Sequence, residues 1–288
     1  MTRYAKPEKV EDALALLAEG EWRVLSGGTD FYPAQGSRPI RDNVLDIAGL
    51  SDLRGITETS DHWVLGARTT WTEVLGADLP PSFNALKQAG RDVGSVQIQN
   101  VATVAGNLCN ASPAADGVPA LMVLSAEVEL RSLAGARHVP LHEFILGNRR
   151  TALSKDELVT AIRVPKAASA GQSAFVKLGA RRYLVISIAM AAARIETASD
   201  GTIAMAAITV GACSPVARRL GGLEGAIVGL HRGANLRGAL RDAPMPELSP
   251  IDDVRGTAEY RLEAAREIAT RAVMAAVADF PQEGEWAA

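Results

Sequence analysis

Arg23-Val24-Leu25 reads as a short buried strand, and it runs without a break into Ser26-Gly27-Gly28-Thr29-Asp30. Paired glycines let backbone N–H groups crowd together and approach a ligand closely. Concavities of that kind hold phosphate oxygens. A plain tight turn would use the same residues. The flanks narrow the choice of fold. Val10, Ala13, Leu14 and Leu17 recur at helical spacing behind Pro7, which predicts an amphipathic helix stopped by Gly20. Val44-Leu45-Asp46-Ile47 reads as a second strand. Helix, strand, glycine turn, crossover and strand predict a small α/β unit at the front of the chain.

From Ile56 the pattern changes to short strands at Ile56-Thr57 and Trp63-Val64-Leu65, and Thr70 and Glu73 are spaced as a capping box. Residues 82–89 and 118–124 are helix candidates, and Val128-Glu129-Leu130 is a strand. Residues 157–164 alternate weakly and end at Pro165, which suggests an edge strand. Residues 166–171 are small and flexible in composition and read as a linker. Beyond them lie strands near Ala174-Phe175-Val176 and 203–210, and a helix near 186–195. A long final helix, about 260–278, places Leu262, Ala265, Ile268, Ala269 and Ala272 on one side. The tail, 282–288, is expected to fray.

With 48% hydrophobic and 22% charged residues, the chain should bury an ordinary core. Its net charge of -3 lacks the basic excess of a nucleic-acid binder. Iron–sulfur clusters and structural zinc need several closely spaced ligands. Cys109 and Cys213 are far apart with no such cluster around them, so neither group is expected, and both thiols should be buried and reduced. His62 and His231 stand alone. His138 and His142 are four apart, but Pro140 between them breaks a shared helical face, so no metal is expected. No GxGxxG fingerprint, Ser–His–Asp pairing or paired carboxylates stand out. The first seven residues lack a signal-peptide core, and runs such as 186–193 are too short and Ala-rich to span a bilayer. A cytoplasmic chain with no membrane span is the expectation.

The other unusual stretch is 94–116, rich in Gly, Asn, Ser and Gln but poor in charge. Thr103-Val104-Ala105-Gly106-Asn107-Leu108-Cys109-Asn110-Ala111-Ser112-Pro113-Ala114-Ala115-Asp116 gathers hydroxyls, amides and a carboxylate with no Lys or Arg. Uncharged hydrogen-bonding groups suit a polyhydroxylated, partly apolar ligand better than a free phosphate, and a flavin with its ribityl chain fits. A loop held by its own Asn and Ser side-chain turns would have the same composition.

Taken together and in this order, the two segments resemble the FAD-binding subunit shared by xanthine dehydrogenases, carbon monoxide dehydrogenases and related molybdenum hydroxylases. Gly27-Gly28-Thr29-Asp30 is similar to that family's loop after the first strand. Thr103-Val104-Ala105-Gly106-Asn107 and Ala111-Ser112-Pro113-Ala114-Ala115-Asp116 resemble its second segment, and Gln97-Ile98-Gln99-Asn100 the lead into it. Asp253-Val254-Arg255-Gly256-Thr257-Ala258-Glu259-Tyr260-Arg261 looks like the signature that opens its last helix, so the likeness covers nearly the whole chain. Residues 107–116 look most like the xanthine dehydrogenase branch; a flavoprotein subunit of a carbon monoxide or aldehyde dehydrogenase complex is the alternative.

The resemblance implies an α+β fold: a two-subdomain FAD-binding domain of the vanillyl-alcohol-oxidase-like type over 1–168 (subdomains about 1–55 and 56–168), then a smaller α+β domain with an antiparallel sheet over 169–288. It implies that Val24, Leu25, Ser26, Gly27, Gly28, Thr29, Asp30 and Phe31 wrap the pyrophosphate and ribityl chain of FAD. Val93, Thr103, Gly106, Asn107, Asn110 and Ser112 would line the other wall, and Asp116 would accept hydrogen bonds from the ligand. Val159 would pack against the cofactor, and Lys177 would stand beside the flavin's pyrimidine edge, where a positive charge favours the anionic reduced form. No residue acts in acid–base catalysis. A partner large subunit would carry molybdopterin and a partner small subunit the 2Fe–2S clusters, with NAD as an acceptor. Two departures stand out. Ala105 replaces the usual first glycine of the second segment, which costs about 1 kcal/mol if that position needs positive φ. Arg181-Arg182 is followed by Tyr183-Leu184, with none of the carboxylates some relatives carry there. Two other classes compete: a flavin-free scaffold subunit, and a stand-alone flavin oxidase. The second usually carries a larger substrate domain.

Overall fold

Parallel strands need a crossover to return the chain in the same direction, and the front of this chain supplies two. The computed structural model describes residues 2–278; the tail at 282–288 lies outside them. Strand β1 (Tyr4–Ala5), helix α1 (Val10–Glu19), β2 (Arg23–Leu25), α2 (Phe31–Gln35) and β3 (Val44–Asp46) form a sheet in the order β1-β3-β2, parallel throughout. Helix α1 buries Val10, Ala13, Leu14 and Leu17, the stripe its spacing predicts, and Gly20 caps it. Strand β2 is less buried than its composition suggests. Leu25 packs on Phe31 and Val44, but Val24 remains 36% exposed because alternate strand side chains face opposite ways.

The next unit contains β4 (Ile56–Glu58), β5 (His62–Gly66), α3 (Trp71–Gly76), α4 (Asn84–Asp92), α5 (Val96–Gln99), α6 (Val104–Asn110) and α7 (Gly117–Met122). It continues through β6 (Glu127–Ser132), β7 (Gly135–Pro140), α8 (Leu141–Phe144), a β8–β9 hairpin (Ile145–Gly147 and Arg150–Thr151) and β10 (Leu158–Pro165). Its antiparallel sheet runs β4-β5-β10-β6-β7. The capping box forms: Glu73 N–H donates to Thr70 Oγ1 at 3.3 Å, and Thr70 N–H to Glu73 Oε2 at 2.8 Å. Strand β10 is central, not an edge. Pro165 sits at its last residue, where a missing N–H breaks no interior ladder bond, while Leu158, Val159, Ile162 and Val164 are buried.

Residues 166–171 are pinned to the front of the molecule. Lys166 N–H donates to the Asp61 carbonyl at 2.8 Å, Ser82 Oγ donates to the Ser169 carbonyl at 2.9 Å, and Ala168 is buried. The rest comprises β11 (Gln172–Leu178), β12 (Ala189–Thr197), β13 (Ile203–Gly211), β14 (Arg218–Arg219), α9 (Gly221–Ile227), α10 (Leu236–Asp242) and α11 (Ala258–Val277). The sheet runs β11-β12-β13-β14, antiparallel. The helix expected near 186–195 is strand β12. Alanine is the best helix former, but here both faces are covered. Met190 and Ala192 join the core shared with the front of the molecule, while Ala189, Ala191, Ala193 and Ile195 join the core under α11. Small side chains let the two layers close on one strand, and that packing overrides propensity. The whole has the expected α+β arrangement, with a smaller antiparallel-sheet part following the two-part front.

Helix α11 is anchored by a charge. Arg261 is 1% exposed; its Nη1 donates to the carbonyls of Ile188 (2.6 Å) and Ala212 (3.0 Å), and its Nη2 to Asp253 Oδ1 (2.6 Å). Hydrogen bonds from Arg255, then Arg261, hold the Asp253 carboxyl well below the usual carboxylate range. Asp253→Asn is expected to cost about 2–3 kcal/mol at pH 7, somewhat less than the ~3–5 kcal/mol of breaking a fully buried pair, because the amide oxygen still accepts. A depressed carboxylate pKa stabilises the fold above its unfolded value of 3.8, and this is lost as pH falls below it. The gap in Tm between wild type and variant should therefore close as pH drops below about 4. Equal Tm values at pH 7 would refute the anchor.

Candidate cofactor cleft

Between the parallel sheet and the α3–α7 region lies a cleft of about 450 Å³. Its first wall is the end of β2 and the loop after it. Val24, Ser26, Gly27, Gly28, Thr29, Asp30 and Phe31 all line it. Gly28 has φ +76, a conformation that favours glycine. Gly27 has no room for a side chain: an added Cβ would lie 2.0 Å from the Val101 carbonyl oxygen. The first wall therefore touches the second backbone to backbone.

The second wall is where the charge-poor segment lies, and it is helical. Thr103 caps α6, accepting from Gly106 N–H at 3.0 Å, and Ala111 ends it at φ 47. Backbone bonds from Trp71 N–H to the Ala102 carbonyl (3.1 Å) and from Val104 N–H to the Thr69 carbonyl (3.0 Å) fix where α6 begins. Thr103, Gly106, Asn107 and Asn110 line the cleft from this side, Val93 from the end of α4, and Val159 from β10. Ala105 is the second residue of α6 and has no positive φ, so the alanine there carries no backbone strain.

Four expected residues do not line the cleft. Leu25 points into its small core, and Ser112 Oγ accepts from Ala114 N–H at 3.2 Å within a turn. Asp116 and Lys177 form an ion pair at 2.6 Å, with both side chains 8% exposed, and Ser187 Oγ donates to Asp116 Oδ1 at 2.6 Å. The cluster is close behind the wall, because Gly117 packs against Asn107 and Trp71: a Cβ on it would lie 2.8 Å from Asn107 Oδ1. Burial pushes the Asp116 carboxyl above the usual range, with Lys177 and Ser187 pulling the other way. Burial also raises Asp92, whose charge would be felt by both. Residues 178–187 do not line the cleft. Tyr183, Leu184 and Ile186 are exposed there, and Arg181 donates to the Leu184 carbonyl at 2.6 Å.

Sequence reasoning missed Arg23, Trp71, Cys109, Arg149 and Leu153 as lining residues. Apolar residues on a cleft face carry the same pattern as core residues, and the Gly147-Asn148 pair before Arg149 signals a turn but not that the turn reaches the cleft. Cys109 was expected to be buried; α6 gives the core position to Leu108 instead, leaving Cys109 exposed, while Cys213 is buried. Among the described residues, no three His, Cys, Asp or Glu are placed to hold a metal, and no helix is long and apolar enough to cross a membrane.

The donor set fits a flavin dinucleotide. Buried polar atoms are normally paired, yet Asn107 Oδ1 and Trp71 Nε1 are buried here without a hydrogen-bond partner, and both residues line the cleft. Those two atoms are closed off from the cleft, Asn107 Oδ1 lying 2.8 Å from where a Cβ on Gly117 would sit. A ligand would instead meet the glycine cradle, Thr103 and Asn110, and apolar surface from Val159, Leu158 and Ile47.

Residues 1–167 match the family model of the FAD binding domain in molybdopterin dehydrogenase, and residues 174–276 that of the CO dehydrogenase flavoprotein C-terminal domain. The chain is 33% identical to the carbon monoxide dehydrogenase medium chain of Afipia carboxidovorans, covering 94% of each. It is 27% identical to a putative xanthine dehydrogenase FAD-binding subunit of Escherichia coli strain K12, covering 96% of each. It superposes on a chain of reconstituted CO dehydrogenase from Oligotropha carboxidovorans with a TM-score of 0.87 at 27% identity, covering 96% of this chain and 98% of that one.

Adding Cβ to either cradle glycine should have unequal consequences. Gly27→Ala drives carbon into a backbone carbonyl that cannot move alone, and should cost about 1–3 kcal/mol as overpacking. Gly28→Ala meets the Tyr32 ring, which is 57% exposed and can swing away, leaving about 1 kcal/mol of φ strain. Thermal unfolding should rank wild type, Gly28→Ala, Gly27→Ala in falling Tm; the reverse order for the two variants would show that the walls do not meet at Gly27.

Proposed function

Because this chain belongs to the FAD-binding subunit family of the molybdenum hydroxylases, an oxidoreductase family, we propose that its cleft holds FAD between the Gly27-Gly28 cradle and α6 and that it serves as the electron-transfer subunit of a heteromeric complex. The observation that carries this is the glycine cradle closed on the second wall: an added Cβ on Gly27 would lie 2.0 Å from the Val101 carbonyl oxygen, beside a cleft lined by Thr103, Gly106, Asn107 and Asn110. In the proposed mode, backbone N–H groups of Ser26 to Asp30 face the pyrophosphate. Thr103, Gly106, Asn107 and Asn110 face the ribityl chain, Val93 and Val159 give apolar contact, and Asp116 and Lys177 act from behind the wall. The chemistry FAD supplies when bound is storage of an electron pair between one-electron and two-electron partners. The chain's own residues hold it, shield one side from water, and set the local charge.

In this proposal the partners are a molybdopterin-binding large subunit, which oxidises the organic substrate, and a small subunit with 2Fe–2S clusters, which passes the electrons on. NAD is the proposed acceptor, residues 107–116 favour the xanthine dehydrogenase branch of the family, and the complex is cytoplasmic. The division of the chain near 168 belongs to the same reading.

The test is the visible spectrum of the purified chain with added FAD, then dithionite. Stoichiometric flavin bands that bleach on reduction are expected. A folded chain that stays colourless with excess FAD, alone and with its partners, would favour a scaffold role instead. Anaerobic NADH should bleach the same bands; if it does not, NAD drops out as acceptor.

The Asp116–Lys177 pair is neutral overall, so Asp116→Asn would leave the lysine charge uncompensated. The two-electron midpoint potential of bound flavin should then rise by about 30 mV, the equivalent of ~1.4 kcal/mol. An unchanged potential with FAD fully bound would mean that the cluster lies too far from the flavin to tune it.

A further inference from the structure

The rim of the cleft carries a chain of polar contacts that ties three separate parts of the sequence together. Asn110 Nδ2, at the end of α6, donates to Asp30 Oδ1 at 3.1 Å on the first wall. Arg149 Nη1, in the β8–β9 turn, donates to Asn110 Oδ1 at 3.0 Å. The turn is itself pinned to the end of α6, because Arg149 N–H donates to the Ala111 carbonyl at 3.0 Å. Arg149 sits at φ +54, where glycine or asparagine is the usual occupant. A long cationic side chain kept in a strained turn at the mouth of a cleft calls for a functional reason.

The charges lining the cleft are few: Arg23, Asp30 and Arg149. Arg23 is engaged, donating to Gln35 Oε1 at 3.3 Å, lying 3.7 Å from Asp42 and stacking over the Phe31 ring at 4.3 Å. The one side-chain hydrogen bond of Arg149 among the described residues is that to Asn110, which leaves the rest of the guanidinium fork for a ligand. Asp30 poses the problem such a cation would solve. It places a carboxylate beside a glycine cradle suited to phosphate oxygens, where a dianionic ligand would be repelled.

We infer that Arg149 is a binding residue for the diphosphate of the ligand, aimed into the cleft mouth by Asn110 and offsetting the charge of Asp30. The inference rests on the FAD reading above and adds a residue to it. Charge-assisted contacts between a guanidinium and phosphate oxygens are strong and directional, and a contact at an exposed rim is weakened by salt.

The experiment is fluorescence titration of the flavin-free full chain with FAD at low and at raised salt. It compares wild type, Arg149→Gly and Arg149→Lys. Arg149→Gly removes the guanidinium and eases the turn, so its Tm should not fall below wild type. Its Kd for FAD should rise about tenfold at low salt, with a flatter salt dependence, and Arg149→Lys should recover much of the affinity and the salt slope. Equal Kd values for wild type and Arg149→Gly would overturn the inference while leaving the FAD reading intact. So would weaker binding with an unchanged salt slope, because a rim merely loosened would not alter the charge response. No FAD binding by wild type would sink both.

Discussion

The two walls of the cleft meet where Gly27 lies against the carbonyl of Val101, a contact that admits nothing larger than hydrogen. One backbone belongs to a parallel-strand unit and the other to the turn that leads into α6. Their direct approach sets the spacing of everything above them. Gly28 then needs its positive φ to carry the chain out of that contact, so the pair of glycines does two different jobs. On the other side, α6 is positioned by backbone bonds to Thr69 and Trp71 before any side chain takes part. A cofactor would enter a space whose dimensions are already decided by main-chain atoms, which limits the conformational cost of binding.

Behind the second wall the structure depends on a sheet with two covered faces. Strand β12 alternates between two cores, one under α11 and one continuous with the front of the molecule. Lys177 arrives on the neighbouring β11, Ser187 just before β12, and Asp116 just before α7, so the buried pair exists only because the sheet and α7 pack together. Arg261 reaches the same region from α11, holding the Ile188 carbonyl next to Ser187. The antiparallel-sheet part thus supplies part of the electrostatic surroundings of a cleft it does not line.

Charge is used sparingly at the cleft itself. Its second wall offers neutral side chains, Thr103, Asn107 and Asn110, and its charges are Arg23, Asp30 and Arg149. Neutral donors and acceptors suit sugar hydroxyls and a flavin ring, and cations at the edge suit phosphates. Relatives at 27% and 33% identity are named for xanthine and carbon monoxide, so likeness at this level does not by itself fix a substrate.

By itself the sequence determined the local elements whose cause is local: the α1 stripe, the Thr70–Glu73 capping box, the strand running into Gly27-Gly28, and the final helix. It also made the two cleft walls visible, because loops of glycine, asparagine and hydroxyl residues have no common use in a core. What depended on distant packing was not legible. Strand β12 read as a helix because alanine favours one until two layers close on it. Strand β10 read as an edge because a terminal proline looks the same wherever the strand lies in its sheet. Val24 read as buried and Cys109 as core-facing because the side a short element presents is chosen by what packs on it. Only the tertiary structure could turn Leu25 into a core with Val44, pair Asp116 with Lys177 behind the wall, and bring Arg149 to the rim beside Asn110, since each of these is a contact between residues far apart in the chain.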